Sequence, residues 1–276
     1  MKFKYLFFLF LISTITFSQE RKSTKSENVS VLELEFAFKE IGKTPHKIRV
    51  YLPPNYNETK KKYPVIYMHD GQNLFDNATS YIGEWGVDET LNTLFQKKGK
   101  GFIVVGIDNG GEARIAEYTP WAHKKYGGGK GAFYIDFIVK TLKPMIDRKF
   151  RTKSKAKHTA IIGSSLGGLI SYYGGLKHPE IFGKIGALST SFWFSDKVNE
   201  FTVEHAKQQS TRMFMLVGGK EGENMVPDQE HSEKLLLENG FKAKNLKTKI
   251  VPDGTHSESF WKAEFEEVVR WLFKIK

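Results

Sequence analysis

The 276-residue chain contains no cysteine. Disulfides, a thiol nucleophile, a thiolate metal site and any lipid anchor that needs an N-terminal cysteine are therefore excluded. Long apolar runs are scarce too. Tyr5 to Phe17 is apolar apart from a few hydroxyls, but it falls short of the roughly 20 residues of a membrane span, and no later segment exceeds it. Internal repeats and low-complexity blocks are absent, as is any module of interleaved basic and aromatic residues of the kind that binds nucleic acid. The formal charge is +11, yet the lysines are scattered through "KKKYP", "QKKGKG", "RTKSKAKH" and "KAKNLKTK", where loops and strand starts are expected. Such a distribution describes a solvated surface, compatible with an acidic group on a small partner.

What is present begins with Lys2 and Lys4, the apolar stretch, and the small residues Thr16 and Ser18 ahead of Gln19. That is the pattern of a secretory signal peptide over residues 1–18. It predicts an exported protein, periplasmic or secreted, without membrane attachment after cleavage. A polar linker is expected over 19–30 and one α/β domain over 31–276, a length sufficient for a large core.

Leu32, Leu34, Phe36 and Phe38 alternate with Glu33 and Glu35, which predicts a half-buried antiparallel strand paired with "HKIRVYLP". Beyond it, "YPVIYMHD", "GFIVVGID", "HTAIIGSS", "IGALST" and "MFMLVGG" are short continuous apolar runs, as in strands covered on both faces. Helical patterns separate them: "EWGVDETLNTLFQKK", "AFYIDFIVKTLKPMIDRKF", "LGGLISYYGGLKH", "DQEHSEKLLLENG" and "SFWKAEFEEVVRWLFKI". This alternation predicts a mostly parallel sheet with an antiparallel N-terminal hairpin and helices on both faces. Ligands then belong at the C-terminal ends of the strands.

Gly163-Ser164-Ser165-Leu166-Gly167 matches G-x-S-x-G, and the strand and helix that it requires on either side are both legible. Ser165 is the candidate nucleophile. Ser164 fails the spacing because Ile162 and Leu166 flank it. A serine needs a base, which needs an orienting acid, and in this motif's setting they follow in that order along the chain: serine, acid, histidine. Of the later histidines, His178 ends a helix, and His205 and His231 lie in polar stretches. His256, in "VPDGTHSESFW" after the strand-like "KTKIV", is the candidate base. Glu221, just beyond the strand ending at Gly218-Gly219, is the first choice of acid, with Glu223, Asp228 and Asp253 as alternatives. The Leu166 and Gln72 amides, after the elbow and after the His69-Asp70-Gly71 strand end, are the candidate oxyanion donors. No third ligand accompanies His69-Asp70 at metal-binding spacing, so no metal is expected.

Taken together, "YPVIYMHDGQNLFD", "EWGVDETL", "VVGIDNGGEARIAEYTPW", "IIGSSLGGLISYYGGLKHPEIFGKIGALSTSFWF" and "GTHSESFW" resemble the putative-esterase family of α/β-hydrolases. The family includes esterase-D-like, enterochelin-esterase-like and feruloyl or acetyl-xylan esterase members. The resemblance runs from about Lys47 to the C-terminus. It implies Ser165 as elbow serine, His256 as the late-loop base, Glu221 as acid, Gln72 at the oxyanion position, and two-step acyl transfer without a cofactor. One departure is visible: Thr255-His256-Ser257-Glu258 stands where many relatives read Gly-His-Asn-Glu.

Export turns the expected substrate toward extracytoplasmic esters, either acyl or feruloyl groups on polysaccharide or a siderophore ester. Trp85, Tyr118, Trp121 and Trp193, all in segments after strand ends, are expected to line the substrate pocket. Two rival readings stay open at this point: a serine peptidase on the same fold, and a carbohydrate- or siderophore-binding protein on a hydrolase scaffold.

Overall fold

The computed structural model describes residues 21–36, 46–207 and 210–276. The expected signal peptide lies outside the described residues, as does Phe38.

Strands β1 (Val29–Phe36) and β2 (His46–Tyr51) form the antiparallel pair, Val29 opposite Tyr51 and Val31 opposite Arg49. The apolar runs become β3 (Val65–Met68), β4 (Ile103–Ile107), β5 (Thr159–Ser164), β6 (Lys184–Leu188) and β7 (Arg212–Gly218), followed by β8 (Leu246–Val251). All eight join one sheet in the order β1-β2-β4-β3-β5-β6-β7-β8. Pairing is antiparallel from β1 to β4 and parallel from β4 to β8.

Every residue of β3, β4, β5 and β6 is buried, because helices cover both faces. Side chains alternate between the two cores with the strand period: Tyr67 and Ile161 join one apolar cluster, Ile66 and Ile162 the other. Helices α1 (Val87–Lys98) and α8 (Glu258–Phe273) pack together on the second side. Along the chain between them lie α2 (Arg114–Tyr118), α3 (Gly131–Phe137), α4 (Lys143–Lys149), α5 (Leu166–Lys177), α6 (Lys197–His205) and α7 (Met225–Glu238).

The helix expected around Lys143-Pro144 is continuous but not uniform. Pro144 has no N–H to give, and the chain passes through a π-helical turn, Ile138–Leu142, just before it. Helix α5 is buried from Leu166 to Leu176, so its apolar residues run all round it. Gly175 permits its close approach to β6, since a Cβ there would sit 2.3 Å from Ile185 Cγ1.

Strand β3 has β4 on one side and β5 on the other. The connections after β3 and after β4 therefore leave in opposite directions, and a crevice opens beyond the strand ends. Asp70 and Ser165 follow β3 and β5 into that crevice. Among the described residues no helix is long and apolar enough to cross a membrane.

Candidate active site

The chain turns from β5 into α5 on a single residue. Ser165 adopts φ 59° and ψ −126°, a region that costs a residue with a side chain about 1–3 kcal/mol. Three backbone hydrogen bonds hold it there. Its N–H donates to Leu188 O at 2.9 Å, and its carbonyl accepts from Leu169 N–H at 3.1 Å and Ser191 N–H at 3.2 Å. The two motif glycines contribute unequally. A Cβ on Gly163 would meet Gly167 O at 2.5 Å, whereas one on Gly167 would find its nearest neighbours, Asp70 Oδ2 and His69 Cβ, at 3.4 Å. Ser165 Oγ stands 3.4 Å from Ser191 Oγ. Leu166 is the first residue of α5, so its N–H has no intrahelical partner and faces the same end.

His256 and Glu221 are brought together by two loops zipped side by side. Gly219 N–H donates to Val251 O at 2.8 Å and Lys220 N–H to Gly254 O at 2.9 Å. Only glycine fits at 254, where a Cβ would be 2.7 Å from the Phe260 ring and 2.8 Å from Gly218 Cα. His256 Nδ1 then lies 2.9 Å from Glu221 Oε2. The other carboxylate oxygen, Oε1, accepts from Gly218 N–H at 2.7 Å and Ser189 O–H at 2.6 Å. Ser189 Oγ accepts in turn from Trp261 Nε1–H at 2.8 Å. The Glu221 side chain is fully buried while His256 remains 38% exposed, so the carboxylate is fixed and the imidazole can reach a ligand. Of the alternative acids, Glu223 is exposed, Asp228 lies on α7, and Asp253 pairs with Lys220.

At the end of β3, Asp70 takes the left-handed conformation (φ 54°) and Gly71–Asn73 form a short 3-10 turn. Gly71 packs against β4, leaving no room for a Cβ: Asp108 Oδ1 would lie at 2.7 Å. The Gln72 N–H falls within the first turn, unclaimed by helical bonding. Its side-chain Oε1 accepts from Asn109 N–H at 3.2 Å. Arg114 clamps the Asp70 carboxylate through Nε at 2.7 Å and Nη2 at 2.9 Å, and Asn109 Nδ2 adds a third bond at 2.6 Å. Burial pushes the Asp70 carboxyl up, but the Arg114 guanidinium overrides it and holds Asp70 below its ordinary value.

Beneath the elbow, His69 is completely buried with Nδ1 2.8 Å from Tyr134 Oη. Burial holds the imidazole down to about 3. An unfolded chain takes up this proton below about pH 6.5, while the folded chain refuses it until far lower. Stability is therefore lost as pH falls from 6.5 toward 3, by about 3 kcal/mol over the first two pH units. The urea midpoint is expected to drop between pH 6.5 and 4.5, and His69→Gln to flatten that slope. An unchanged slope in the variant would contradict this reading.

These elements enclose a cavity of about 910 Å³ whose lining includes Asp70, Gln72, Trp85, Arg114, Ser165 and His256. Among the residues expected from sequence, Ser165, His256, Gln72 and Trp85 thus meet at one place, with Glu221 immediately behind His256. Three aromatics lie elsewhere. Tyr118 is wholly buried and accepts the Asp70 N–H at 2.9 Å, beneath the cavity. Trp121 packs edge-on against Tyr173 and Phe201, and Trp193 is half exposed beside Tyr126 and Phe194. Instead the wall takes Thr79–Ile82, Glu258, Trp261 and, from the N-terminal segment, Arg21. Glu258 and Trp261 fall within "GTHSESFW" but are not singled out there as lining residues, and Thr79–Ile82 and Arg21 carry no motif. Glu258 was the nearest to recognition, two residues after His256. Burial, then the nearby Asp70 charge, raises its carboxyl. Among the described residues no group of three or more His, Asp or Glu side chains is arranged to hold a metal.

Comparison with known proteins agrees with this fold. The family described as "Putative esterase" matches residues 40–272. An uncharacterized protein of Bacillus subtilis, YbbA, is 30% identical over 241 residues, 82% of this chain and 92% of its own length. The endo-1,4-beta-xylanase/feruloyl esterase of Xylanibacter ruminicola is 28% identical over 234 residues, 82% of this chain but 29% of that larger protein. Among solved structures, the siderophore hydrolase EstA from Aspergillus nidulans superposes with a TM-score of 0.67 at 18% identity, covering 90% of this chain and 95% of that one. The chain belongs to the putative-esterase family and is a carboxylic-ester hydrolase of the α/β-hydrolase fold.

Proposed function

We propose that Ser165 is the nucleophile of this hydrolase, His256 its general base and Glu221 the acid that orients the base. The observation that carries the reading is the 2.9 Å bond from His256 Nδ1 to a buried Glu221 carboxylate, with His256 and the elbow serine on the wall of one cavity. A carboxylate on Nδ1 fixes the proton on that nitrogen and frees the Nε2 lone pair for a hydroxyl. Ser165 Oγ then attacks the ester carbonyl as its proton passes to Nε2. The Leu166 and Gln72 N–H groups receive the oxyanion, each contributing about 3–4 kcal/mol to the barrier reduction. The imidazolium returns its proton to the departing alkoxide, and water, deprotonated by the same imidazole, releases the acid from the acyl-serine.

The substrate in this reading is an extracytoplasmic ester, an acyl or feruloyl group on polysaccharide or a siderophore ester. The basic, apolar, small-residue order of residues 1–18 supports export. Trp85 and Trp261, with the exposed Tyr81 and Ile82 at the rim, offer the apolar wall that an aromatic acyl or phenolic group needs. Incubating the purified protein with feruloyl, acetyl-xylan and catecholate-siderophore esters, and measuring the free acid by chromatography, tests the substrate class. Release from at least one is expected. Saturable binding of these esters with no acid released would contradict the assignment.

A further inference from the structure

The segment that sequence reading treats as a polar linker is bound to the cavity wall. Ser23 Oγ donates to Asp76 Oδ2 at 2.9 Å and Thr24 N–H to Asp76 Oδ1 at 3.2 Å. Thr24 Oγ1 reaches Glu84 Oε2 at 2.6 Å and accepts from Asn77 N–H at 2.8 Å, while Ser26 N–H donates to Asp88 Oδ2 at 2.8 Å. The arm thus runs along residues 76–88, the stretch that carries Tyr81, Ile82 and Trp85 into the cavity, and its first described residue, Arg21, joins the lining.

Arg21 differs from the other arginine there. Arg114 is spent on Asp70 through two bonds. Arg21 donates through Nη2 to Ser80 O at 2.6 Å and through Nη1 to Ser80 Oγ at 3.4 Å, both neutral oxygens. Among the described residues no carboxylate pairs with it. The Ser80 contacts orient the guanidinium and, among the described residues, leave its charge and remaining N–H groups uncommitted at the mouth of a site that binds esters. The cavity's other carboxyls, Glu112 and Glu258, sit on different elements, the Gly111–Ala113 turn and the start of α8. A planar fork of donors that keeps its charge is matched by an anionic oxygen pair or a phenolate.

We infer that Arg21 is a specificity-determining residue, its guanidinium recognising a carboxylate or phenolate carried by the ester that Ser165 attacks. The inference rests on the esterase reading of the cavity. It also makes the N-terminal arm part of the substrate site rather than a tether to it.

Two matched ester pairs test it. On the acyl side, mono-4-nitrophenyl succinate carries a carboxylate that 4-nitrophenyl butyrate lacks; on the alcohol side, 4-acetoxybenzoate does so relative to phenyl acetate. For at least one pair, Arg21→Gln is expected to lower the anionic-to-neutral ratio of kcat/KM about tenfold. Arg21→Lys should restore part of that ratio, because it keeps the charge without the fork, and added salt should shrink the difference between wild type and Arg21→Gln. The ratio cancels any general loss of activity or folding. If the ratio is the same in wild type and Arg21→Gln for both pairs, the inference is overturned. Failure of the underlying reading looks different: wild type would hydrolyse none of the four esters, or Ser165→Ala would hydrolyse them as fast as wild type, and the inference would fall with it.

Discussion

Replacing Ser165 with alanine is expected to lower kcat/KM for a soluble ester by about 10⁴–10⁶-fold, down to the residual catalysis that oxyanion donors and binding supply without a nucleophile. The fold should survive the change. Alanine keeps the Cβ, and the backbone at 165 is held by bonds from its own N–H and carbonyl to Leu188, Leu169 and Ser191, none of which uses the hydroxyl. Two other hydroxyls stand close enough to be confused with it. Ser164 also lines the cavity, and Ser191 Oγ is 3.4 Å from Ser165 Oγ. Neither sits at the strained corner between β5 and α5. Ser191→Ala is expected to cost no more than about tenfold, the scale of a lost hydrogen bond. Initial rates with 4-nitrophenyl acetate, taken alongside thermal melts, separate the cases. A Ser165→Ala enzyme within tenfold of wild type would remove Ser165 from the mechanism.

The second large effect belongs to Glu221→Gln, expected to cost about 10³–10⁴-fold in kcat/KM. The direction follows from the two donors at the far carboxylate oxygen. Gly218 N–H and Ser189 O–H both point at Oε1, so the glutamine carbonyl must take that position and its NH₂ must take the other. That NH₂ then faces His256 Nδ1, the nitrogen that in the proposed triad donates a hydrogen bond to Oε2. The imidazole is driven to the tautomer with Nε2 protonated, unable to accept from Ser165. The loss should appear in kcat with little change in KM, since Glu221 is buried behind His256 and lies outside the cavity lining. A Glu221→Gln protein of near-normal kcat would mean that His256 needs no orienting acid.

Much of this site can be read from sequence because its parts are local. The elbow is five consecutive residues whose backbone demands small neighbours, and Gly163 shows the reason in a 2.5 Å clash. Glu221 follows a strand whose apolar pattern marks its end, which made it the first choice of acid, but element order left Glu223, Asp228 and Asp253 open. Its place 2.9 Å from His256 Nδ1 comes from the structure. The eight-stranded order was partly legible, in that continuous apolar runs predict parallel strands but leave their neighbours unspecified.

The cavity wall was not legible. An aromatic after a strand end can turn either way: Trp85 packs at a 38° tilt against Trp261 at the cavity, while Trp121 closes a separate core contact with Tyr173 and Phe201. Arg21 is further from sequence logic still. Its partner Ser80 is 59 residues away, and a stretch without apolar periodicity gives no hint that it will be bound down. Asp76 holds it through two hydrogen bonds and Glu84 and Asp88 through one each, a pattern that composition alone reads as solvated charge.

The most direct measurement is covalent labelling of the wild-type protein with a fluorophosphonate, followed by intact mass and peptide mapping. The account predicts one adduct per chain, on the Ser165 hydroxyl within the peptide spanning the β5–α5 turn, with ester hydrolysis lost in step with labelling. An adduct on Ser164, Ser191 or any other residue, or full labelling that leaves hydrolysis intact, would contradict it.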